Sequence, residues 1–261
     1  MDISGKTAIV TGSARGVGAA TAKLLAEKGC NVVINYSKSD EQARESEEIC
    51  RRCGVETLLC RADVADDTDC RRMVDETLGK WGRLDILINN AGTTKFCAHS
   101  DLDGLSKDDF LRIYGVNVVG TYQMVRAAAP HMKRKGKGSV VNVASVAGIT
   151  GIGSSIAYAA SKGALITMTL SLARILGPEI RVNAVCPGFI QGSWLREGMG
   201  VEIYEKLKLD LEAAAPLHMT ATPQTVAESI VHFAAGMPLV TGETLILDGG
   251  FHLNTTPMAR R

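Results

Sequence analysis

Short apolar runs alternate with longer amphipathic stretches along this chain. Each run is rich in Val, Ile and Leu and is bounded by glycine or polar residues, which predicts a buried strand. The predicted strands span residues 6–11, 31–36, 55–60, 85–89, 139–143, 181–186 and 244–247. The stretches between them predict helices, of which 156–176 and 223–235 have the clearest bounds. This alternation predicts an α/β fold with a doubly wound parallel sheet of about seven strands and helices on both faces.

We expect the whole chain, residues 1–261, to form a single domain, because no linker, repeat or low-complexity tract interrupts the alternation. Glycines interrupt the stretch 189–218, for which we expect a looser segment that closes over a ligand. Polar residues break every apolar stretch before it reaches the length of a membrane span. We therefore expect no membrane association.

The charges along the chain are balanced. Lys and Arg number 29, Asp and Glu number 28, and the net charge is +1. Nucleic acid and anionic membranes are therefore not expected partners. The 7 cysteines are an odd number, which fits a reducing compartment. The chain also begins without a secretory-signal pattern, so we expect a cytoplasmic protein. The spacing of His and Cys matches no metal site.

A tyrosine and a lysine lie one turn apart on the predicted helix 156–176. Tyr158 and Lys162 therefore share one face. At roughly 4 Å and an effective dielectric constant near 20, an ammonium favours a phenolate by about 4 kcal/mol. We expect Lys162 to lower the Tyr158 pKa toward neutrality and make it a general acid/base. Ser145 follows the strand 139–143, where its hydroxyl would bind a substrate carbonyl. The alternative is an ordinary surface helix.

A glycine-rich turn joins the first strand to the next helix. It reads Gly12-Ser13-Ala14-Arg15-Gly16-Val17-Gly18. Glycine lets the backbone approach an anion closely, and the helix N-terminus offers free N–H groups and the positive end of the dipole. The turn therefore predicts a phosphate cradle, although a tight turn packed on a helix gives the same pattern.

The tip of the second strand indicates which nucleotide fits. An acidic residue there binds the ribose 2′-hydroxyl of NAD. This chain has Tyr36, Ser37 and Lys38 instead, with no acid before Asp40. Lys38 and Arg15 together supply two cations suited to a 2′-phosphate. We therefore expect NADP in preference to NAD.

These motifs, in this order, resemble the short-chain dehydrogenase/reductase family over residues 3–251. The motifs are T-G-S-A-R-G-V-G (11–18), N-N-A-G (89–92), Asn117, Ser145, Y-A-A-S-K (158–162), P-G (187–188) and T-G-E-T-L-I-L-D-G-G (241–250). The chain looks most similar to bacterial 3-oxoacyl-[acyl-carrier-protein] reductases and their relatives. The resemblance implies a Rossmann-like dinucleotide-binding domain that transfers hydride between NADP(H) and a carbonyl or secondary alcohol, with a 3-oxoacyl thioester as one candidate substrate.

The resemblance also implies roles for individual residues. Tyr158 would be the acid/base, Lys162 would also bind the nicotinamide ribose, and Ser145 would bind the substrate carbonyl. Asn117 would hold a water in a proton relay to Lys162. The other implied cofactor contacts are Asp63, Val64, Asn89, Ala91, Gly92, Pro187, Gly188 and Ile190.

The region expected to bind substrate matches the family only loosely. Gly192 stands where the family pattern P-G-x-x-x-T has threonine, which leaves the cofactor contact there and the order of the following loop open. Residues that either line a pocket or only pack are Phe96, His99, Trp194, Tyr204 and His218. Two other functions stay open. One is a sugar, secondary-alcohol or steroid dehydrogenase of the same family, and the other is a non-catalytic NADP-binding sensor or scaffold.

The predicted helix 156–176 is apolar on more than one side. A helix of this kind is buried on more than one side, which predicts contact with a second copy. The resemblance implies a homotetramer, with a homodimer as the smaller assembly. Cover by a neighbouring helix of the same chain is the alternative.

Overall fold

Seven parallel strands form the sheet that the alternation predicts. The computed structural model describes residues 2–254. The strands are β1 (Thr7–Val10), β2 (Asn31–Tyr36), β3 (Thr57–Arg61), β4 (Ile86–Asn89), β5 (Gly138–Val143), β6 (Ile180–Pro187) and β7 (Thr244–Leu247). Their order is β3-β2-β1-β4-β5-β6-β7. The order reverses between β1 and β4, and in such folds ligands bind beyond the carboxyl ends of the strands at that point.

Ten α-helices accompany the strands in the described residues. They are α1 (Gly16–Glu27), α2 (Asp40–Arg51), α3 (Asp67–Trp81), α4 (Lys107–Tyr114), α5 (Thr121–Lys135), α6 (Ala147–Thr150), α7 (Ile156–Leu176), α8 (Ser193–Met199), α9 (Val201–Ala214) and α10 (Pro223–Ala235). A π-helical turn, Gly115–Gly120, joins α4 to α5, and a 3₁₀ turn spans Phe251–Leu253. Helices α1, α2 and α10 cover one face of the sheet, and α3, α5 and α7 cover the other.

The strands sort their side chains between these two faces with a period of two. On β1, Val10 packs with α1 and α10, whereas the preceding Ile9 packs with α3 and α5. On β4, Ile88 and Leu87 divide in the same way. Burying one such side chain contributes about 1.5–3 kcal/mol, so a core on both sides explains why these strands are apolar throughout.

Helix α4 begins after Ser106 and is interrupted at its C-terminal end. Ser106 and Asp109 form a capping box at its start. The helix then passes through the π-helical turn before continuing as α5. Such turns are rare and occur often at functional sites. This one contains Asn117, which is fully buried.

The expectation of a looser segment at 189–218 is wrong, because α8 and α9 fill most of it. Gly192 and Gly200 precede these helices with φ of +153° and +84°, conformations that favour glycine. The glycines therefore separate the two helices without breaking either of them.

Helix α7 corrects the statement that no apolar stretch reaches membrane-span length. By length and composition alone, α7 is long and apolar enough to cross a membrane, with a mean hydropathy of 1.3. Its polar residues are mostly small and raise the polarity little. The buried Lys162 and the packing of Leu172 and Leu176 against the sheet place α7 in the layer that covers the core.

Candidate active site

Ser145, Tyr158 and Lys162 meet beyond the carboxyl end of β5. The Lys162 ammonium donates a hydrogen bond to the Val143 carbonyl oxygen at 2.7 Å. Its nitrogen lies 5.6 Å from the centre of the Tyr158 ring. The Ser145 hydroxyl lies close enough to the Tyr158 phenol to lower its pKa, and it donates a hydrogen bond to the Pro187 carbonyl oxygen at 3.4 Å. The one-turn spacing on α7 and the end of β5 therefore bring the three predicted side chains together.

The side-chain amide of Asn117 is held by a network of its own. Its Nδ2 donates to the Ser161 hydroxyl at 2.9 Å and to the Thr93 carbonyl oxygen at 3.0 Å. Its Oδ1 accepts from the Thr93 N–H at 2.8 Å. Ser161 in turn donates to the Tyr158 carbonyl oxygen at 2.7 Å. Asn117 therefore ties the π-helical turn to α7, and both of its amide hydrogens are already engaged.

Burial controls the titration of Tyr158 and Lys162. It raises the pKa of Tyr158 to about 12, and the neighbouring Ser145 hydroxyl opposes that rise. It lowers the pKa of Lys162 to about 8. The expectation that Lys162 brings the Tyr158 pKa toward neutrality is wrong for these side chains alone. Loss of hydration disfavours both charged forms and outweighs their attraction.

The glycine turn is fixed by two asparagines. The Asn90 amide donates to the carbonyl oxygens of Thr11 at 2.9 Å and Gly12 at 3.0 Å. The Gly12 N–H donates to Asn35 Oδ1 at 3.0 Å. A methyl group on Gly18 would lie 2.3 Å from the Gly12 carbonyl oxygen, so only glycine fits there. The sequence motifs identified the glycines, but not the hydrogen bonds of Asn35 that hold them.

The same turn has the features of a phosphate cradle. Gly16 adopts a φ of +60° and faces open space. Arg15 precedes α1 in an extended conformation, and its side chain does not cap the helix. The first N–H groups of α1 therefore stay available to an anion. Ser13 is buried and donates to the Val10 carbonyl oxygen at 2.8 Å, so it supports the turn from beneath.

The tip of β2 carries more charge than the sequence motif suggested. The Tyr36 hydroxyl donates to Asp40, which raises the pKa of Tyr36. Asp40 also accepts from Arg44 at 2.8 Å. Arg61, at the end of β3, donates to the Ser37 carbonyl oxygen at 3.4 Å. Tyr36 is therefore already occupied, whereas Arg44 and Arg61 join the exposed Lys38 at this tip.

Four of the other predicted cofactor residues have structural partners. The Asp63 carboxylate accepts from the Ala65 N–H at 3.0 Å, and the buried Val64 packs against the π-helical turn. The Asn89 amide donates to Asn142 at 2.9 Å and so joins β4 to β5. Gly92 lies beside Lys162, since a methyl on Gly92 would be 3.7 Å from the Lys162 nitrogen. Ala91 donates its N–H to the Thr11 hydroxyl at 3.0 Å.

The segment after β6 explains the departure at Gly192. A single bridge pairs Ile190 with Ala221 and uses the backbone groups of Phe189 and Gln191. The bridge therefore does not consume the N–H and C=O of Ile190. Gly192 donates its N–H to the Tyr204 hydroxyl at 3.1 Å. A threonine is disfavoured here because of the positive φ. Before this segment, Gly188 packs closely against Asp248.

Of the five candidate pocket residues, Trp194 lies beside Tyr158 and Phe96 lies beside Trp194. The Trp194 ring centre is 6.2 Å from that of Tyr158 and 6.0 Å from that of Phe96. Tyr204 instead packs on Phe189 at 5.1 Å. His99 and His218 contact backbone carbonyl oxygens of Gly153 and Glu212. Trp194, backed by Phe96, therefore forms an aromatic wall at Tyr158.

Comparison with known proteins identifies the family. A family model described as enoyl-(acyl carrier protein) reductase matches residues 12–252. A solved structure described as a short-chain dehydrogenase/reductase from Burkholderia xenovorans superposes with a TM-score of 0.88 at 41% identity, covering 95% of this chain and 98% of that one. The chain belongs to the short-chain dehydrogenase/reductase family. It is thus an oxidoreductase of a family that uses a nicotinamide cofactor.

Relatives of this short-chain dehydrogenase/reductase have several names. A protein named ketoacyl reductase 2 of the granaticin polyketide synthase, from Streptomyces violaceoruber, is 40% identical over 94% of this chain and 96% of its own length. The 3-oxoacyl-[acyl-carrier-protein] reductase FabG of Staphylococcus aureus is 32% identical over 95% and 98%. The structure of an NAD⁺-bound xylitol dehydrogenase superposes with a TM-score of 0.87 at 28% identity, over 96% and 100%.

Proposed function

We propose that this enzyme is an NADP(H)-dependent carbonyl reductase that acts on 3-oxoacyl thioesters or related ketones. The observation that carries the proposal is the grouping of Ser145, Tyr158 and Lys162 at the sheet edge that also bears the glycine turn. The basic tip of β2 supports NADP over NAD. The similarity to the granaticin ketoacyl reductase and to FabG supports the substrate class.

Each of the four proposed catalytic residues has its own role in the reaction. A bound reduced nicotinamide would supply a hydride to the carbonyl carbon. Ser145 and Tyr158 donate hydrogen bonds to the carbonyl oxygen, and Tyr158 transfers its proton to that oxygen as charge develops there. Lys162 uses one N–H on Val143 and keeps two for the nicotinamide ribose. Asn117 fixes α7, and with it Lys162, relative to the π-helical turn, and it stays the proposed holder of a water.

The fit of the nicotinamide cofactor rests on the cradle itself. Gly16 leaves open space beside the turn, Gly12 and Gly18 allow its close packing, and the start of α1 keeps free N–H groups. Arg15 and Lys38 are the cations for a 2′-phosphate. Asp63, Val64, Gly92, Pro187, Gly188 and Ile190 stay proposed cofactor contacts of the adenine and nicotinamide ends.

A sugar or secondary-alcohol dehydrogenase is the second candidate. The similarity to the xylitol dehydrogenase structure favours it, because that protein binds NAD⁺ and has the same fold. Both candidates use the same catalytic side chains, so initial rates with NADPH and ketones, compared with NAD⁺ and polyols, distinguish them.

We also propose that the whole chain works as one domain in the cytoplasm and that copies associate through α7. One face of α7 packs on the sheet and on α4. Part of the helix is therefore covered by a neighbouring helix of the same chain, which was the alternative to self-association. Leu170 and Ile175 nonetheless remain 47% and 64% exposed, which supports a homotetramer or homodimer. Sedimentation equilibrium of the full chain tests this, and a monomer would contradict it.

Replacing Tyr158 by Phe tests the proposed chemistry. Tyr158→Phe keeps the ring against Trp194 but removes the proton donor, so turnover of an acetoacetyl thioester should fall by roughly 10³-fold. NADPH binding, followed by its fluorescence, should change less than about twofold because the loss of proton transfer does not weaken nucleotide binding. Tyr122→Phe, at an exposed tyrosine of α5, is the matched control. Retained turnover in Tyr158→Phe would refute the role, and a wild type inert toward every carbonyl would favour the sensor alternative.

A further inference from the structure

Helix α8 brings a carboxylate to the glycine turn. Glu197 Oε2 lies 3.5 Å from Arg15 Nη1, and the two side chains are 64% and 48% exposed. Arg15 directly precedes α1, and the proposed function gives its guanidinium to the 2′-phosphate. The sequence offered no sign of this contact, because the two residues are far apart along the chain and Glu197 lies in a region without a family motif.

Packing, not the ion pair, determines where Glu197 lies. The neighbouring Gly198 approaches Phe96 so closely that a methyl group would be 1.9 Å from Phe96 Cε2. One turn earlier, Trp194 packs on Phe96 and Tyr158. An exposed ion pair contributes only about 0–1 kcal/mol, so it would not hold a helix by itself. The aromatic contacts therefore keep the carboxylate beside Arg15.

We infer that Glu197 is a cofactor-selectivity residue that weakens the binding of 2′-phosphorylated nucleotides relative to unphosphorylated ones. The inference rests on the proposed use of Arg15 for NADP(H). A phosphate and the Glu197 carboxylate would compete for the same guanidinium donors and would repel each other across a few ångströms. Lys38, Arg44 and Arg61 still attract the phosphate, so Glu197 reduces the preference for NADP(H) without abolishing it.

The size of the effect follows from exposed charges in water. Like charges about 6 Å apart in water repel enough to change affinity by about threefold to tenfold. Added salt should screen most of that change at about 0.5 M. NADH and NADPH differ at the 2′-position, so the ratio of their affinities isolates this term from every other contact of the cofactor.

The experiment measures NADPH and NADH dissociation constants by cofactor fluorescence in the full-length protein, without a substrate. Glu197→Gln should tighten NADPH binding by about fivefold at low salt and change NADH binding by less than about twofold, and the difference should shrink at about 0.5 M salt. Glu202→Gln removes the same charge from the start of α9 and should leave the ratio unchanged. Circular dichroism of each variant checks that the fold is retained.

The variant Arg15→Gln separates the proposed role of Arg15 in NADP(H) binding from the inference about Glu197. This change should weaken NADPH binding and reduce the gain from Glu197→Gln in the double variant. If Arg15→Gln lowers the NADPH to NADH affinity ratio but Glu197→Gln leaves it unchanged, the Glu197 inference is wrong and the cofactor proposal stands. If Arg15→Gln does not change the ratio, both the use of Arg15 and the inference built on it are wrong.

Discussion

The glycine turn and the pair of helices α8 and α9 both border the candidate site, but they are held by different kinds of contact. Partly buried hydrogen bonds between backbone groups and the side chains of Asn35 and Asn90 hold the turn. Every residue of α8 is at least partly exposed, and Tyr204 is the buried residue of α9. Val201, Ile203 and Leu209 of α9 are each about 60% exposed.

This difference separates a fixed part of the site from an adjustable one. Backbone hydrogen bonds allow one geometry, and a buried group left without its partner costs about 1–3 kcal/mol. Packing through a few aromatic rings allows small shifts of a helix at a lower cost. We therefore expect the glycine turn, the proposed cofactor side of the site, to resist substitution. We expect α8 and α9, the proposed substrate side, to tolerate it.

The largest effect should come from adding a methyl group to the turn. Gly18→Ala would place a carbon 2.3 Å from a backbone oxygen, so the turn or α1 must move. Overpacking of this kind costs about 1–3 kcal/mol or more, and we expect Tm to fall by roughly 10 °C. Gly79→Ala, in open space on α3, is the control and should be neutral or stabilising. An unchanged Tm for Gly18→Ala in differential scanning calorimetry would show that the turn is not rigid.

A buried cation predicts a gain of stability when it is removed. Burial lowers the pKa of Lys162 from 10.5 to about 8, so holding the ammonium costs up to about 3 kcal/mol in the cofactor-free fold. Lys162→Met removes this cost but leaves the Val143 carbonyl without its donor, which offsets about 1–2 kcal/mol. We expect Tm at pH 7 to rise by roughly 5 °C and activity to be lost.

The sign of this effect depends on pH in a defined window. Below pH 8 the lysine is charged in both the folded and unfolded chains, so the wild type carries the full cost. Between pH 8 and 10.5 the folded lysine is neutral while the unfolded one still binds a proton, so wild-type stability recovers. The advantage of Lys162→Met should therefore vanish as pH rises through this range. Lys206→Met, at an exposed lysine of α9, should lack this dependence, and a fall in Tm for Lys162→Met at pH 7 would contradict the argument.

The smallest effect on stability should come from a methyl group on α8. Gly198→Ala meets the edge of the Phe96 ring, a side chain that can move, and Gly192 and Gly200 flank the helix. We expect Tm to change by less than about 3 °C while α8 shifts and carries Trp194 away from Tyr158. With Trp81→Phe as background, Trp194 is the remaining tryptophan of the 2 in the chain, and its emission should shift to longer wavelength. A large Tm loss with unchanged emission would mean that the substrate side is as rigid as the turn.

The contrast between the glycine turn and helices α8 and α9 also explains which features the sequence predicted and which it missed. Strand bounds follow from apolar periodicity, and both 31–36 and 244–247 match the structure. The glycine turn and the Tyr158–Lys162 pair are local in sequence, so spacing was enough to find them. Helices α8 and α9 were missed because their apolar residues stay exposed and give no buried face. The titration of Tyr158 was misjudged because loss of hydration depends on neighbours from distant segments.

The sequence did not predict the contact between Arg15 and Glu197 or the hydrogen-bond network of Asn117, and the reason is the same for both. Each joins residues that lie on different elements, and their side chains carry no pattern that announces the partner. Ser161 shows this most clearly, because it lies within the Tyr158–Lys162 motif and yet its partner is on another helix.

The π-helical turn at Gly115–Gly120 changes the phase of the helix that it interrupts. One extra residue in a helix rotates everything before it by about 100° relative to everything after it. Helix α4 can thus present one stripe to α7 while α5 presents a differently oriented stripe to the sheet. A one-residue deletion here would swing Asn117 out of line with Thr93 and Ser161, so the length of this segment matters as much as its composition.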